Sequence, residues 1–181
     1  MRTRIIVGFV VVLASVSLTA QSTPPIQGTL ALEGTMTKFY RGVNTVVVTT
    51  VDGAQHVYHF AKGLVVHGGK GSGVEALDTL HEGTTVVVHY RIEGAEQSVE
   101  EIDRVADEGL KVAEGIVVGL NRGRREITLK FGNGTTETLR LTDRAASEAA
   151  EDIGPAGSTR VTVYYSDESG HKVAHYFKKT S

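Results

Sequence analysis

Histidine is the side chain in this sequence best suited to chemistry near neutral pH, either holding a metal ion or moving a proton. There are seven, five of them between His56 and His89, and there is no cysteine. His56 and His59 stand three apart on a predicted strand, so their rings point to opposite faces and cannot chelate one ion together. His171 and His175 share a face but lie roughly 13 Å apart along an extended strand. A zinc or copper site would need about four converging ligands, so it would have to be assembled from long-range neighbours. Without them the default is surface histidines.

Other reactive groupings fail on spacing. His67-Gly68-Gly69-Lys70-Gly71-Ser72-Gly73 invites a phosphate-loop reading, but Leu64 stands where the first glycine is required and Gly71 where the hydroxyl should follow lysine. Ser72 also lacks the flanking pattern of a nucleophile elbow. Glu148, Glu151 and Asp152 share a helical face that reads as solvated. Glu100, Glu101 and Asp103 alternate sides along one strand, and neither set forms an acid/base pair. Asn133-Gly134-Thr135 matches a glycosylation sequon, but a hairpin turn already explains it. The spacing assigns no catalytic residue, no metal ligand and no cofactor, and the expectation is a protein that is not an enzyme.

The N-terminus and composition bound the setting. Arg2 and Arg4, the apolar run Ile5 to Leu18 and the small residue Ala20 form the pattern of a cleavable signal peptide over residues 1–20. That run is shorter than the ~20 residues a spanning helix needs, so no stable membrane span is expected after cleavage. The expected location is periplasmic or secreted. Setting aside Arg2 and Arg4 leaves 17 of the 19 basic residues against 21 acidic ones, a net charge of −4. With no basic stripe to neutralise phosphates, nucleic acid is not an expected partner. With no cysteine, core packing alone must hold the chain together.

The elements that would position any site are written twice. Residues 33–63 fall on 114–144 at an offset of 81, matching Glu33-Gly34 with Glu114-Gly115, Arg41-Gly42 with Arg122-Gly123 and Asp52-Gly53 with Asn133-Gly134. At an offset of 75, Val86 to Tyr90 meets Val161 to Tyr165. His56, His59 and His89 meet Glu137, Arg140 and Tyr164, so no histidine site is duplicated. A duplication of this length predicts two copies of one small fold, over 29–106 and 107–181 after a linker at 21–28.

Each copy reads as strand, strand, strand, helix, strand, strand. Glu126 to Phe131 and Thr138 to Leu141 alternate polar and apolar. Asp143 can cap a helix from Arg144 to about Ile153, stopped by Gly154-Pro155. In the first copy, Ser72 and Glu75 have capping-box spacing before a helix from Val74 to Leu80. That order predicts an all-β fold of two tandem five-stranded OB-like barrels with one short helix per repeat, an SH3-like barrel being the alternative.

The hairpin register follows from the alternation. A three-residue loop ending in a left-handed glycine pairs Ile127 with Leu139 and Thr128 with Thr138, keeping apolar with apolar, and predicts bulged turns at Gly53 and Gly134. The outward pair Thr128 and Thr138 becomes Val47 and Val57 in the first copy, and outward Thr162 becomes Val87. These three valines are candidate contacts, first for docking between the two barrels and second for an outside partner. Three buried valines give about 5 to 9 kcal/mol gross, little for a separate partner but enough for a tethered one.

The Glu33-Gly34-x-Met36 start, the Asp-Gly and Asn-Gly hairpins and the later Gly83-x-x-Val86-x-Val88-x-Tyr90 strand resemble uncharacterised small-barrel domains of exported bacterial proteins. The resemblance covers both copies and implies a fold rather than a ligand. The strand order also resembles the OB barrels of periplasmic copper chaperones, whose site uses a histidine, two methionines and a tryptophan. This chain has no tryptophan, and Met36 is its only methionine after Met1, so that activity is not carried over. The expectation is an exported binding or scaffolding protein of the cell envelope with a protein or saccharide partner. A metal-binding role for the histidines of the first repeat is the alternative.

Overall fold

The computed structural model describes residues 30–68, 73–106, 109–153, 157 and 159–180. The signal-peptide segment, the 21–28 linker, the Gly69 to Ser72 stretch with its capping box and the Gly154-Pro155 stop lie outside them. The chain forms β1 (Leu30–Tyr40), β2 (Thr45–Thr49), β3 (Gln55–His67), β4 (Thr85–Glu93) and β5 (Glu96–Arg104) in the first copy. The second forms β6 (Lys111–Asn121), β7 (Glu126–Phe131), β8 (Thr136–Leu141), α1 (Asp143–Asp152), β9 (Arg160–Glu168) and β10 (His171–Lys179).

Each set of five strands closes into a barrel, in the orders β1-β2-β3-β5-β4 and β6-β7-β8-β10-β9. The third strand runs parallel to the fifth in both copies, and all other pairs are antiparallel. This Greek-key crossover is the OB-like closure rather than the SH3-like alternative. Each barrel has its own apolar core, one around Met36, Tyr58, Val88 and Ile102 and the other around Ile127, Leu139, Val163 and Phe177.

The hairpins adopt the register that alternation requires. Ile127 faces Leu139, Thr128 faces Thr138 and Val47 faces Val57. Gly53 and Gly134 take φ of 84° and 85°, the left-handed region that closes each bulged turn at no steric cost. Gly34 is needed for a different reason. A Cβ there would lie 2.5 Å from Val48 Cγ1 and 2.8 Å from Thr49 O, where β1 passes between β2 and β4.

Two helix expectations change. The N-cap of α1 is Thr142 rather than Asp143: Thr142 has extended backbone and its Oγ1 accepts from Ala145 N at 3.1 Å. Asp143 instead begins the helix, where its charge suits the N-terminal dipole, and pairs with Arg125. The first-copy helix is a 3-10 segment, Gly73–Thr79, not an α-helix. Seven residues are too few for α-helical cooperativity, and the three-residue repeat places Leu77 and Leu80 together in the core.

Candidate metal centre

The two final strands carry equivalent bulges, and these create the site. In β5 the register skips Glu100 between Val99 and Glu101; in β10 it skips His175 between Ala174 and Tyr176. Glu100 and His175 correspond at the 75-residue offset. Each bulge turns both flanking apolar residues inward, Val99 with Ile102 and Ala174 with Phe177. In β5 this throws Glu101 and Asp103 onto the outer face. Bulges commonly re-aim side chains in this way.

Directly paired residues share a face, so the register assembles a polar outer surface on the first barrel. Asp103 is flanked by His67 on β3 and Val87 on β4, and Glu101 by Val65 and His89. The equivalent face of the second barrel carries Thr162, Tyr164, Tyr176 and Lys178 in the corresponding positions. The two faces meet. Val87, Leu110 and Tyr164 form a buried apolar seam flanked by Ala31, Val105 and Tyr176. Lys178 Nζ reaches Glu33 Oε2 at 3.0 Å. Burial and the Glu33 carboxylate raise the Tyr164 hydroxyl well above its ordinary pKa.

Of the three candidate contact valines, Val87 is in this seam and fully buried. Val47 and Val57 are cross-strand neighbours on β2 and β3; Val47 is covered, whereas Val57 is 53% exposed. His56 and His59 line an open cleft beside Val57 with Gln55, Glu96 and Gln97. His59 Nδ1 lies 3.4 Å from Thr45 Oγ1. The fold does not bring His171 to the seam cluster.

It does bring together His67, Glu101, Asp103 and His175. One ligating atom from each lies within 4.8 Å of the others. His67 Nδ1 is 2.6 Å from Asp103 Oδ1 and 3.3 Å from Glu101 Oε1. His175 Nδ1 is 3.6 Å from Asp103 Oδ2 and 3.9 Å from Glu101 Oε1. Four ligands held tetrahedrally about zinc at ~2.0–2.2 Å would be spaced about 3.4 Å apart, and these separations bracket that value. Asp103 is fully buried, His175 nearly so, and His67 is half exposed at the mouth.

Hydrogen bonds around the cluster determine which way His175 presents its lone pair. Ser166 Oγ donates its single proton to Glu168 Oε1 at 2.6 Å. At the 3.0 Å contact with His175 Nε2 it can therefore only accept, so the imidazole carries its proton on Nε2. The Nδ1 lone pair of neutral His175 then faces two carboxylate oxygens. Both His175 Nδ1 and Asp103 Oδ2 are buried without a hydrogen bond, and at 3.6 Å they touch rather than bond. A lone pair against an anion in a buried site calls for a cation between them, a proton or a metal ion.

The surrounding charges are arranged accordingly. Burial opposes charge on Asp103, but with a proton on the imidazole nitrogens that face it, His175, His67 and His89 outweigh burial and hold the carboxyl far below its ordinary value. The Asp103 hydrogen bond raises His67 against the opposing effect of burial. Ser166 lowers Glu168, again against burial. Arg144 of α1 pairs with the other oxygen of Glu101 and lies 3.3 Å from Glu100, which also binds Arg91 at 2.7 Å. A divalent ion would be balanced by the two carboxylates and two neutral imidazoles. The set has no sulfur ligand, and Met36 is buried in the first core, so it favours zinc-type ions over Cu(I).

Sequence spacing passed over this set because its members come from β3, β5 and β10. The available signal was Glu101-x-Asp103 standing where the second copy has Tyr176-x-Lys178. Among the described residues no helix is long and apolar enough to cross a membrane. Comparison with known protein families finds no match, and none of the curated proteins is significantly similar to the chain.

Proposed function

We propose that this protein is an exported, non-enzymatic metal-binding protein of the bacterial cell envelope. Its two small barrels hold one zinc-type divalent ion through His67, Glu101, Asp103 and His175. The observation that carries this reading is the His175 lone pair directed at Asp103 and Glu101. Ser166 and Glu168 act as the outer partners that orient a ligating histidine. The signal-peptide pattern supports export, and the tandem barrels support the likeness to exported small-barrel domains.

Calorimetric titration of the full chain with Zn2+ tests it. At about pH 7.5 one ion per chain should bind at micromolar affinity or tighter. His67 must lose its proton to ligate and its pKa is raised, so affinity should fall at least tenfold on going to about pH 5.5. Changing both His67 and His175 to alanine should remove binding, whereas changing His56 and His59 should not. Absence of binding to the parent chain would refute the metal reading.

A second reading has its own observation in the exposed Val57 beside an open cleft. That face would contact an envelope protein or saccharide. Photo-crosslinking from position 57 in the source envelope should capture such a partner, and a crosslink confined to the second barrel would count against it.

A further inference from the structure

Resting on that metal reading, we infer that the ion is a latch: its binding and the docking of the two barrels are one coupled equilibrium. Three of the ligands, His67, Glu101 and Asp103, belong to the first barrel, and the fourth, His175, belongs to the second. The full ligand set therefore exists only when the barrels are docked. Separated, the first barrel keeps an incomplete three-ligand site and the second keeps a lone histidine.

The rest of the seam leaves room for such control. Among the described residues its apolar part is three buried side chains, Val87, Leu110 and Tyr164, with Ala31, Val105 and Tyr176 partly buried against them, fewer than either barrel core. Around them are cross-barrel charge contacts, Lys178 with Glu33 and Arg144 with Glu100 and Glu101. The Lys178 pair lies toward the rim, where ion pairs contribute little net stability, and the half-covered Arg144 pairs must repay the desolvation of their charges before they stabilise the seam. In the docked chain Asp103 is fully buried and its Oδ2 lies 3.6 Å from His175 Nδ1, both without hydrogen bonds, a cost that a bound cation removes. The seam without the ion thus carries a penalty that the seam with the ion does not.

Linkage makes the relation quantitative. A ligand shifts a two-state equilibrium by the ratio of its affinities for the two states, and the coupling is reciprocal. The factor by which Zn2+ binds the docked chain more tightly than the undocked one must equal the factor by which Zn2+ favours docking, and it is the His175 ligand that distinguishes the two states. At least about a hundredfold is expected for a direct ligand, the upper end for disturbing even an outer partner.

The absence of cysteine makes a clean test available. Glu82→Cys on the first barrel and Thr136→Cys on the second, both at exposed positions, would carry spin labels in the otherwise intact chain. Pulsed electron-electron resonance would give the interbarrel distance distribution with EDTA and with Zn2+, alongside calorimetry on the same labelled protein. The expected result is a single narrow distance with Zn2+ and a broader distribution in EDTA. His175→Gln should give the broad distribution in both conditions, with circular dichroism confirming that both barrels remain folded.

If Zn2+ binds but the distribution is the same with and without it, the latch is refuted while the metal site stands. If calorimetry detects no binding, the metal reading fails and the latch fails with it. Should His175→Gln disturb folding, Ser166→Ala, which removes only the orienting hydroxyl, must show a reduced Zn2+-dependent narrowing; an unchanged response would also refute the latch.

Discussion

Replacing Val163 by aspartate is expected to unfold the second barrel. Val163 is fully buried, pairs with Ala113 and Phe177 and sits in the core with Ile127 and Leu139. An aspartate there loses the valine packing and places a carboxyl where the apolar core offers no partner. Destabilisations of this mechanism exceed about 4 kcal/mol, against a total of about 5–15 kcal/mol for a small domain. No disulfide supports the chain. Thr162→Asp, one residue away, faces outward between Glu114 and Lys178. Repulsion from Glu114 and attraction to Lys178 largely offset each other, and a change within about 1 kcal/mol is expected. Chemical denaturation followed by amide exchange in β9 and β10 separates the two variants. Equal losses would mean that the facing of β9 has been misassigned.

Replacing Asp103 by alanine is expected to have the second largest effect, on binding and stability together. It removes the one carboxylate that His67, His89 and His175 all face. Breaking a buried charged contact by deleting one partner costs about 3–5 kcal/mol. Zn2+ affinity should fall by at least about a hundredfold, the upper end for disturbing even an outer partner. Asp103→Asn, which keeps shape, separates loss of charge from loss of packing: it should fold better than the alanine variant yet bind Zn2+ as poorly. Retained affinity in a folded Asp103→Asn protein would exclude Asp103 as a ligand.

The metal-free protein should also show a characteristic pH response through these groups. Asp103 has a folded pKa below its ordinary 3.8, so its stabilisation is present above 3.8 and is lost as pH falls through the lower folded value. His67 has a folded pKa above its ordinary 6.5, so its stabilisation is full below 6.5 and is lost as pH rises through the higher folded value. Stability attributable to this cluster is therefore greatest between about 4 and 6.5. Zn2+ reverses the alkaline arm, because it takes the place of the His67 proton. In Asp103→Ala thermal melts, both arms should flatten.

Alternation, turn glycines and the duplicated blocks determined the strands, the bulged hairpins and the two-barrel architecture, because each depends on residues near one another in sequence. Thr128 opposite Thr138 follows from the side-chain period of two and one left-handed glycine, and their hydroxyls meet at 3.0 Å. The start of α1 is less legible, since which of Thr142 and Asp143 caps it depends on a backbone angle that both residue types tolerate.

The candidate centre depended on three things that only the tertiary structure decided. Parallel pairing of β3 with β5 set His67 beside Asp103. Bulges at Glu100 and His175 reversed the facing of the residues beyond them, which strict alternation cannot anticipate. Docking of equivalent faces brought His175 of the second barrel to the carboxylates of the first. A one-residue bulge and a domain interface are small in sequence yet decide which side chains converge. The chain spelled out its barrels locally, while the candidate centre forms only where the two copies meet.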